Sequence, residues 1–450
     1  MMEYKKLDER VFVAKSRGAY FIINTYPFLT LLIDGADSFE NVSSYYFNNI
    51  KNSGILPYSD DYDFKGFFAM EWIMTSDCNL NCPHCFAHNK GEKGRYGLGE
   101  KNALSFSDLK DAIDKSLIQL QDDIVNNSLE SAEYQLFIIG GEPLLEFPLL
   151  KQAITYLENE LDCLKEKLSL KSINNTYFLA TNGLLIDEKI AQYLSSHPFQ
   201  VSVSIDTPVN PLKLDAKKTR KTEIAFKAVN CLISHGMRNV ILNCVIPAEK
   251  VYELDNIMFY IESLGVMNRI SGVQISPLTP PTRQTMFSGC SNCETIISEW
   301  GKDLDRCRFF AKKLIEYSDK YNTDMKKYHA RVKHMIHSGG MAYRCPVGLW
   351  KWCLMPGGDI YPCHQFAGIE KYKMGNVHME QNAFIQANKR MLDQLKARLV
   401  FNVEPCNECP LQTCCCVFID CPGRALLEGG SMYRVPEHQC LMAKEYCLQY

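Results

Sequence analysis

The sequence predicts an α/β protein whose centre is a partial (β/α)6 barrel of the TIM-like kind. Between residues 67 and 281, short apolar runs alternate with helical patterns, as expected for repeated βα units and a parallel sheet. Because six repeats are too few for a closed eight-stranded barrel, an open barrel is expected, with its site in the loops at the strands' carboxyl ends. The predicted strands are Phe67–Met74, Tyr134–Ile139, Thr176–Ala180, Gln200–Ile205, Asn239–Val245 and Gly272–Ser276.

Apolar residues at helical spacing predict the packing faces of the helices between these strands. One face ends at a C-cap predicted at Gly236. Residues 87–133 are interpreted as a surface insertion, either a solvated loop or a lid, followed by a polar helix at Ser107–Val125. The two apolar stripes are Leu150, Ala153, Ile154, Leu157 and Leu161, and Ala225, Ala228, Val229 and Leu232.

The first 66 residues predict a separate small α+β domain, similar to a winged helix. Val11–Lys15 and Tyr20–Asn24 flank turn residues and indicate a hairpin. Helical patterns follow at Phe28–Ile33 and Phe39–Ile50. The domain either binds a peptide that adds a strand to its sheet edge or is an inert cap.

Composition excludes several partners. The formal net charge is only -3, so no basic field indicates nucleic acid or an acidic membrane surface. The N-terminus lacks a signal-like apolar run, and no apolar stretch approaches the roughly 18 residues that span a bilayer. A cytoplasmic location is therefore expected. In that reducing compartment the 20 cysteines are expected to ligate metal rather than form disulfides.

Three cysteines lie directly after the first predicted strand, with gaps of three and two residues: Cys78, Cys82 and Cys85. Three thiolates in one short loop suit a cubane iron-sulfur cluster. Three protein ligands on a four-iron cluster leave one iron open to substrate or cofactor. A structural zinc loop is the alternative, although zinc in structural sites prefers four protein ligands.

Polar motifs follow the next strands. After the second strand, Gly140 and Gly141 allow close backbone approach to a ligand, and Glu142 adds a carboxylate. Asn182 lies in a Thr-Asn-Gly turn after the third strand. Ser204 and Asp206 lie on one face at the end of the fourth strand. The alternatives are an ordinary turn and hydroxyls that satisfy neighbouring backbone.

The cysteine spacing and the Gly-Gly-Glu-Pro run resemble the signatures of radical SAM enzymes, in which S-adenosylmethionine (SAM) chelates the open iron. The resemblance implies a [4Fe-4S] cluster on the three cysteines and a 5'-deoxyadenosyl radical formed from SAM. It also implies that strand-five Asn243 and the segment from Gln274 to Ser276 approach the adenosyl group. The implied cofactor contacts are Phe86, Gly140, Gly141, Glu142, Asn182, Ser204, Asp206 and Arg220.

The C-terminal cysteines closely resemble the SPASM extension, which binds two auxiliary four-iron clusters. The resemblance implies one cluster on Cys406, Cys409, Cys415 and Cys440 and a second on Cys345, Cys363 and Cys421. Cys353 is the candidate fourth ligand of the second cluster, unless that iron is open. One departure is Ile419, which occupies a position where relatives carry cysteine. The consecutive residues Cys414 to Cys416 also leave open which of them ligates.

The resemblance implies four domains: a peptide-recognition element (1–66), the barrel (67–281), a helical bridge (282–340) and the SPASM domain (341–450). It implies a maturase that takes an electron from an external flavodoxin or ferredoxin. The enzyme would form a carbon-sulfur or carbon-carbon crosslink in a ribosomally made precursor peptide that carries a leader. One alternative is an anaerobic sulfatase-type maturase, although such relatives usually carry Asp where this chain has His364. A second is an electron carrier without catalysis.

Three further cysteines are interpreted as structural. Cys163, Cys231 and Cys244 fall in helical or strand patterns and are expected to pack in the core, since free cysteine behaves as a small hydrophobe. Cys290 and Cys293 form a lone pair without a partner pair, which is weak support for metal binding.

Overall fold

The computed structural model describes two sheets with separate hydrophobic cores. One is a four-stranded sheet near the N-terminus, and the other is a nine-stranded, mostly parallel sheet covered by helices. The described residues are 3–8, 11–16, 19–25, 28–33, 35–50, 65–80, 82, 85, 103–205, 216–277, 303–321, 347–348, 350–397, 403–405, 421–429 and 431–447.

The N-terminal sheet is an antiparallel meander, in which each strand pairs with the next along the chain. A helix begins after Ser38, whose side chain accepts a hydrogen bond from the Asn41 backbone N–H, and it continues as a π-helical turn. Its core includes Val13, Ile22 and Val42. The elements are β1 (Glu3–Asp8), β2 (Val11–Ser16), β3 (Ala19–Thr25), β4 (Phe28–Ile33), α1 (Phe39–Tyr45) and the turn Tyr46–Ile50.

The predicted hairpin is confirmed as β2 and β3, and the second predicted helix is confirmed as α1 with its π-helical turn. The predicted helix at Phe28–Ile33 is wrong, because this segment is strand β4, paired with β3 from Tyr20↔Ile33 to Thr25↔Phe28. A six-residue run is too short for a stable isolated helix, and only two residues separate it from β3. The described part is thus a meander with one helix, and the winged-helix prediction is not confirmed.

The central sheet contains all six predicted barrel strands. They are parallel and lie in chain order from β5 to β10, with helical segments in the connections, consistent with a partial (β/α)6 barrel. Their bounds are β5 (Phe67–Ile73), α2 (Phe106–Asn127), β6 (Ser131–Ile139), α3 (Phe147–Lys167), β7 (Ser172–Thr181), α4 (Glu188–Ser195), β8 (Phe199–Ile205), α5 (Ala216–Ser234), β9 (Val240–Ile246), α6 (Leu254–Ser263) and β10 (Gly272–Pro277).

The helix predicted at Ser107–Val125 is confirmed as α2, which forms the crossover between β5 and β6. Residues 87–102 of the predicted surface insertion lie outside the described residues. The α2 face of Leu109, Ile113 and Leu120 is fully buried, and Ser105 and Asp108 form a reciprocal capping box at the start of the helix. The predicted stripes on α3 and α5 are also buried, and Gly236 after α5 has the positive φ of +84° expected at a C-cap.

The two faces of the parallel strands differ in burial. Along β6 the side chains of Tyr134, Leu136 and Ile138 are buried, whereas Phe137 and Ile139, which alternate with them, are partly exposed. The same alternation continues along β7 and β8. We call the partly exposed face, defined by Phe137, Phe178, Ser202, Ser204 and Asn243, the inner face.

The C-terminal segment extends the same sheet, which the sequence did not predict. Strand β11 runs parallel to β5, with Cys353 opposite Glu71, and two further strands continue antiparallel. The elements are α7 (Leu304–Tyr321), β11 (Lys351–Met355), β12 (Asp359–Tyr361), β13 (Gly375–Asn376), α8 (Gln381–Ala397), α9 (Pro422–Gly429) and α10 (Glu437–Cys447).

A histidine after β13 ties this segment to the start of α2. His378 Nε2 lies 2.8 Å from Asp108 Oδ1, and its Nδ1 lies 2.7 Å from Asp111 Oδ2. Hydrogen bonds to Asp111 and Asp108 raise the pKa of His378. The protonated ring can therefore bridge two carboxylates on the other segment.

The core prediction for three cysteines is confirmed in part. Cys244 is fully buried in β9, and Cys231 is partly buried against the core. Cys163 is exposed on α3, so its prediction as a core residue was wrong. Its position in a helical pattern did not reveal that it lies on the solvent side.

No helix in the described part of the chain is long and apolar enough to cross a membrane.

Candidate functional site

The predicted cluster-binding cysteines follow β5 at its carboxyl end. Cys78, Cys82 and Cys85 are each partly exposed, and the Cys85 N–H donates to the Cys82 carbonyl at 3.2 Å. The Leu80 N–H lies 3.4 Å from Cys78 Sγ, so this sulfur already has one backbone donor. Thiol sulfurs are the donors that an iron-sulfur cluster takes, so the residue types fit such a cluster. Among the described residues, however, no three Cys, His, Asp or Glu side chains are grouped closely enough to hold a metal ion.

The glycine pair after β6 packs directly on this cysteine loop. A Cβ on Gly140 would lie 2.5 Å from the Thr75 carbonyl oxygen, and one on Gly141 would lie 2.1 Å from that of Asp77. Two backbone hydrogen bonds join the segments: Gly141 N–H to Thr75 O at 2.7 Å and Glu142 N–H to Asp77 O at 2.8 Å. In the structure these glycines permit contact between two stretches of the protein's own backbone. Their predicted approach to a ligand stays a prediction.

Glu142 is fully buried, and its carboxylate receives three hydrogen bonds from the chain. The Leu144 N–H and the Thr181 hydroxyl donate to Oε1, at 3.1 and 2.8 Å, and the Asn182 N–H donates to Oε2 at 2.8 Å. Burial raises the pKa of Glu142, and these hydrogen bonds oppose the rise. The carboxylate therefore joins the ends of β6 and β7, a structural role that the sequence did not indicate.

Asn182 brings the three motifs together. Its side-chain Nδ2 donates to Asn79 Oδ1 at 2.7 Å and lies 3.9 Å from Cys78 Sγ. Its Oδ1 accepts from the Leu184 N–H at 2.9 Å, which fixes the turn that follows β7. The Thr-Asn-Gly motif thus contacts the cysteine loop through its side chain and Glu142 through its backbone.

The inner face beside this network carries polar side chains on neighbouring strands. Ser204 on β8 is exposed and pairs in register with Asn243 on β9. Asn243 Oδ1 is buried, and among the described residues it has no hydrogen-bond partner. An acceptor of this kind, next to a surface hydroxyl, fits a polar ligand such as the adenosyl group of SAM.

Aromatic rings lie further along the same face. Phe137 and Phe178 stack with their centroids 4.6 Å apart and their planes 11° from parallel. The ammonium of Lys351 lies 4.1 Å from the centroid of Phe137. The inner face of the sheet therefore has an apolar aromatic surface with the ammonium of Lys351 at its edge.

Sequence reasoning missed a buried charged cluster between β5 and the C-terminal segment. Glu71 is 2% exposed, and its Oε1 lies 2.7 Å from Lys351 Nζ and 3.0 Å from His364 Nδ1. Burial by itself would raise the pKa of Glu71, but the charges of His364 and Lys351 hold it below its usual range. The one sign of this cluster in the sequence was Glu71 itself, an acidic residue inside an otherwise apolar strand.

Four of the predicted auxiliary-cluster cysteines lie among the described residues. Cys353, Cys363 and Cys440 are buried, and Cys421 is partly exposed. A Cβ on Gly423, two residues after Cys421, would lie 2.4 Å from the Gln365 side chain, two residues after Cys363. The chain segments that carry Cys363 and Cys421 therefore lie side by side.

The remaining predicted residues stay predictions. Phe86, Asp206, Cys345, Cys406, Cys409 and Cys415 lie outside the described residues. The backbone of Arg220 belongs to α5, but its side chain also lies outside the described part. Just before Cys406, the Glu404 N–H donates to Tyr433 O at 2.8 Å and the Val435 N–H donates to Glu404 O at 2.7 Å.

Comparison with known proteins supports the fold and the family. The sequence pattern of the Radical SAM superfamily matches residues 72–261. A probable GTP 3',8-cyclase of Methanococcus maripaludis is 30% identical over 254 residues, covering 56% of this chain and 71% of that protein. A cysteine-type anaerobic sulfatase-maturating enzyme of Clostridium perfringens is 23% identical over 355 residues, or 74% of this chain and 84% of that enzyme.

Other relatives match less of their own length or show the fold alone. An uncharacterized protein of Methanocaldococcus jannaschii is 29% identical over 202 residues, 43% of this chain and only 58% of that protein. The solved structure of native anSMEcpe with bound AdoMet and Kp18Cys peptide aligns with a TM-score of 0.55 at 18% identity, over 84% of this chain and 95% of that chain. Together with the arrangement of the three motifs, the sequence matches show that this chain belongs to the radical SAM superfamily.

Proposed function

We propose that this protein is a radical SAM maturase that crosslinks a ribosomally synthesised precursor peptide through a carbon-sulfur or carbon-carbon bond. One observation supports a peptide substrate: the fold similarity extends over 84% of the chain to a protein solved with AdoMet and a peptide bound. The choice of a crosslinking reaction rests on the resemblance of the first 66 residues to a peptide-recognition element. Crosslinking removes two hydrogens from the peptide, one as an atom and one as a proton together with an electron. The product is therefore a peptide lighter by two hydrogens.

The residues of the site would divide the work as follows. Cys78, Cys82 and Cys85 would hold the four-iron cluster, and Asn243 and Ser204 would contact SAM. When bound, the cluster and SAM would supply the carbon-centred radical, and auxiliary clusters would accept the substrate's electron. The hydrogen bonds of the buried Glu142 carboxylate would keep the cysteine loop fixed against β6 and β7. A barrel interior would keep water from the reacting atoms.

A direct test uses the purified protein, reconstituted without oxygen and incubated with SAM, a flavodoxin or ferredoxin, and a candidate precursor peptide. We expect 5'-deoxyadenosine together with a peptide that has lost two hydrogens. Formation of neither product with any peptide would favour the carrier alternative. Zinc as the only metal in the cysteine loop would refute the proposed ligand set.

The N-terminal sheet is proposed to bind the leader of the precursor peptide. Its core of Val11, Val13, Tyr20, Ile22, Val42 and Tyr46 is separate from that of the large sheet, so its removal leaves the larger core intact. Deletion of residues 1–66 should abolish leader binding while the reconstituted protein still cleaves SAM. Unchanged peptide affinity in the truncated protein would contradict the recognition role.

Two auxiliary clusters are proposed in residues 341–450, with the ligands assigned from the family resemblance. The contact between the segments that carry Cys421 and Cys363, and between the segment before Cys406 and residues 433–435, supports this grouping. Three clusters require about twelve irons per chain, whereas one requires about four. We expect Cys421→Ala or Cys440→Ala to lose iron, and exposed Cys163→Ala to retain it. Equal iron in all three variants would refute the assignment.

A sulfatase-type maturase is the second candidate, because a cysteine-type anaerobic sulfatase-maturating enzyme aligns with 74% of this chain. Such an enzyme would convert a serine or cysteine into formylglycine. His364 occupies the position where relatives of that kind usually carry Asp. A sulfatase-derived peptide and a carbonyl-reactive hydrazide distinguish the two: labelled product supports the sulfatase-type function, and an unlabelled crosslinked precursor supports the first proposal.

A further inference from the structure

We infer that the Asn182 side chain donates a hydrogen bond to the Cys78 thiolate and so raises the reduction potential of the cluster in this loop. The inference rests on the proposed ligation of that cluster by Cys78, Cys82 and Cys85. It gives Asn182 a positioning and tuning role toward the cluster rather than a contact with SAM.

The geometry supplies one N–H for each of two acceptors. Asn182 Nδ2 lies 2.7 Å from Asn79 Oδ1 and 3.9 Å from Cys78 Sγ. An amide nitrogen carries two hydrogens, so both contacts can exist together. The Leu80 N–H lies 3.4 Å from the same sulfur, so Cys78 has a backbone donor as well as this side-chain donor.

The rest of the network fixes the direction of the amide. Asn182 Oδ1 accepts from the Leu184 N–H at 2.9 Å, and the Asn182 N–H is held by the buried carboxylate of Glu142 at 2.8 Å. Rotation of the amide by half a turn would place its oxygen against Asn79 Oδ1 and the sulfur, both of which are acceptors. The donor orientation toward Cys78 is therefore the one that satisfies every partner.

The consequence for the cluster follows from charge. Reduction adds one negative charge that is shared with the thiolate sulfurs, and an N–H donor stabilises that charge. Removing the donor disfavours the reduced state and makes the potential more negative. The effect is distinct from loss of the cluster, because the three thiolates stay in place.

The test measures the midpoint potential of the SAM-responsive [4Fe-4S] signal by EPR-monitored titration of the reconstituted full-length protein. Asn182→Ala removes the donor without adding charge. Asn182→Asp also removes it but keeps an oxygen for the Leu184 N–H, so the turn is preserved. Asn79→Asp adds a carboxylate beside the same sulfur, since Asn79 Oδ1 lies 4.0 Å from Cys78 Sγ, and leaves the Asn182 donor in place. Asn175→Ala, near the other end of β7, is the matched control.

We expect Asn182→Ala to shift the potential to a more negative value than wild type and Asn175→Ala, at equal iron content. Asn182→Asp should shift the midpoint potential further than Asn79→Asp does. If Asn182→Ala cannot be loaded with iron, this comparison of the two Asp variants tests the inference. A wild-type potential in Asn182→Ala overturns the inference, as do equal shifts in the two Asp variants when Asn182→Ala cannot be loaded. Absence of any SAM-responsive signal in the wild type would instead refute the proposed cluster ligation.

Discussion

The contact between Gly141 and the cysteine loop makes a sharp prediction for Gly141→Ala. The added Cβ would lie 2.1 Å from Asp77 O, where ordinary contact begins at 3.4 Å. The two segments must separate by more than 1 Å, which breaks the hydrogen bonds of Gly141 N–H and Glu142 N–H. Two lost hydrogen bonds at about 1 kcal/mol each, and about 1 to 3 kcal/mol of overpacking, predict a destabilisation of about 3 to 5 kcal/mol.

The assay for Gly141→Ala is the thermal midpoint of the protein under anaerobic conditions, together with its iron content after reconstitution. A loss of this size lowers the midpoint on the order of 10 °C for a unit of this length. Gly265→Ala is the control: it has a φ of +68° and no atom within 4 Å of its added Cβ, so only backbone strain of about 1 to 2 kcal/mol is expected. A midpoint for Gly141→Ala at or above that of Gly265→Ala would refute the steric argument.

Three further predictions concern buried or bridging charges. Glu142→Gln should cost about 1 to 3 kcal/mol and lower iron loading, because an amide cannot accept all three hydrogen bonds; wild-type loading and stability would contradict this. Lys351→Met should cost about 3 kcal/mol, because Glu71 stays buried without its closest cation. The double variant with Glu71→Gln should recover part of that loss in chemical denaturation, and strict additivity would exclude the coupling. The pKa of His378 is raised in the folded state. The stabilisation from its contact with Asp108 and Asp111 is therefore fully present below pH 6.5, the ordinary histidine pKa, and is lost as the pH rises through the raised value. His378→Gln should therefore lower the thermal midpoint in acid and have little effect in alkali; an equal loss at both extremes would argue for packing alone.

Much of the barrel could be predicted from local sequence. Its strands are short apolar runs, and the residues that make them strands are contiguous in the chain. The cysteine loop, the glycine pair and the Asn182 turn were each located because parallel strands bring their carboxyl ends to one edge. The mistaken helix at Phe28–Ile33 was also a local judgement, and its pairing with β3 overrode the apolar pattern.

The partners of the site residues could not be predicted in the same way. In the sequence, Glu71 is only an acidic residue within an apolar strand. Its partner Lys351 lies on β11, which comes from a distant part of the chain and pairs with β5. The motif around Glu142 predicted a ligand contact, but it did not predict the three hydrogen-bond donors that the carboxylate has in the chain. These donors come from its own turn and from the end of β7. Such pairings depend on which segments meet, and no local spacing encodes that.

The sequence by itself determined the parallel-strand architecture and the donor chemistry, because strand periodicity and thiol spacing are properties of neighbouring residues. Only the tertiary structure decided how those pieces are held. The glycines serve backbone contact with the cysteine loop, Glu142 joins two strand ends, and Asn182 faces a cysteine sulfur. The physical reason is that hydrogen-bond and steric partners are chosen by packing between segments that are remote along the chain.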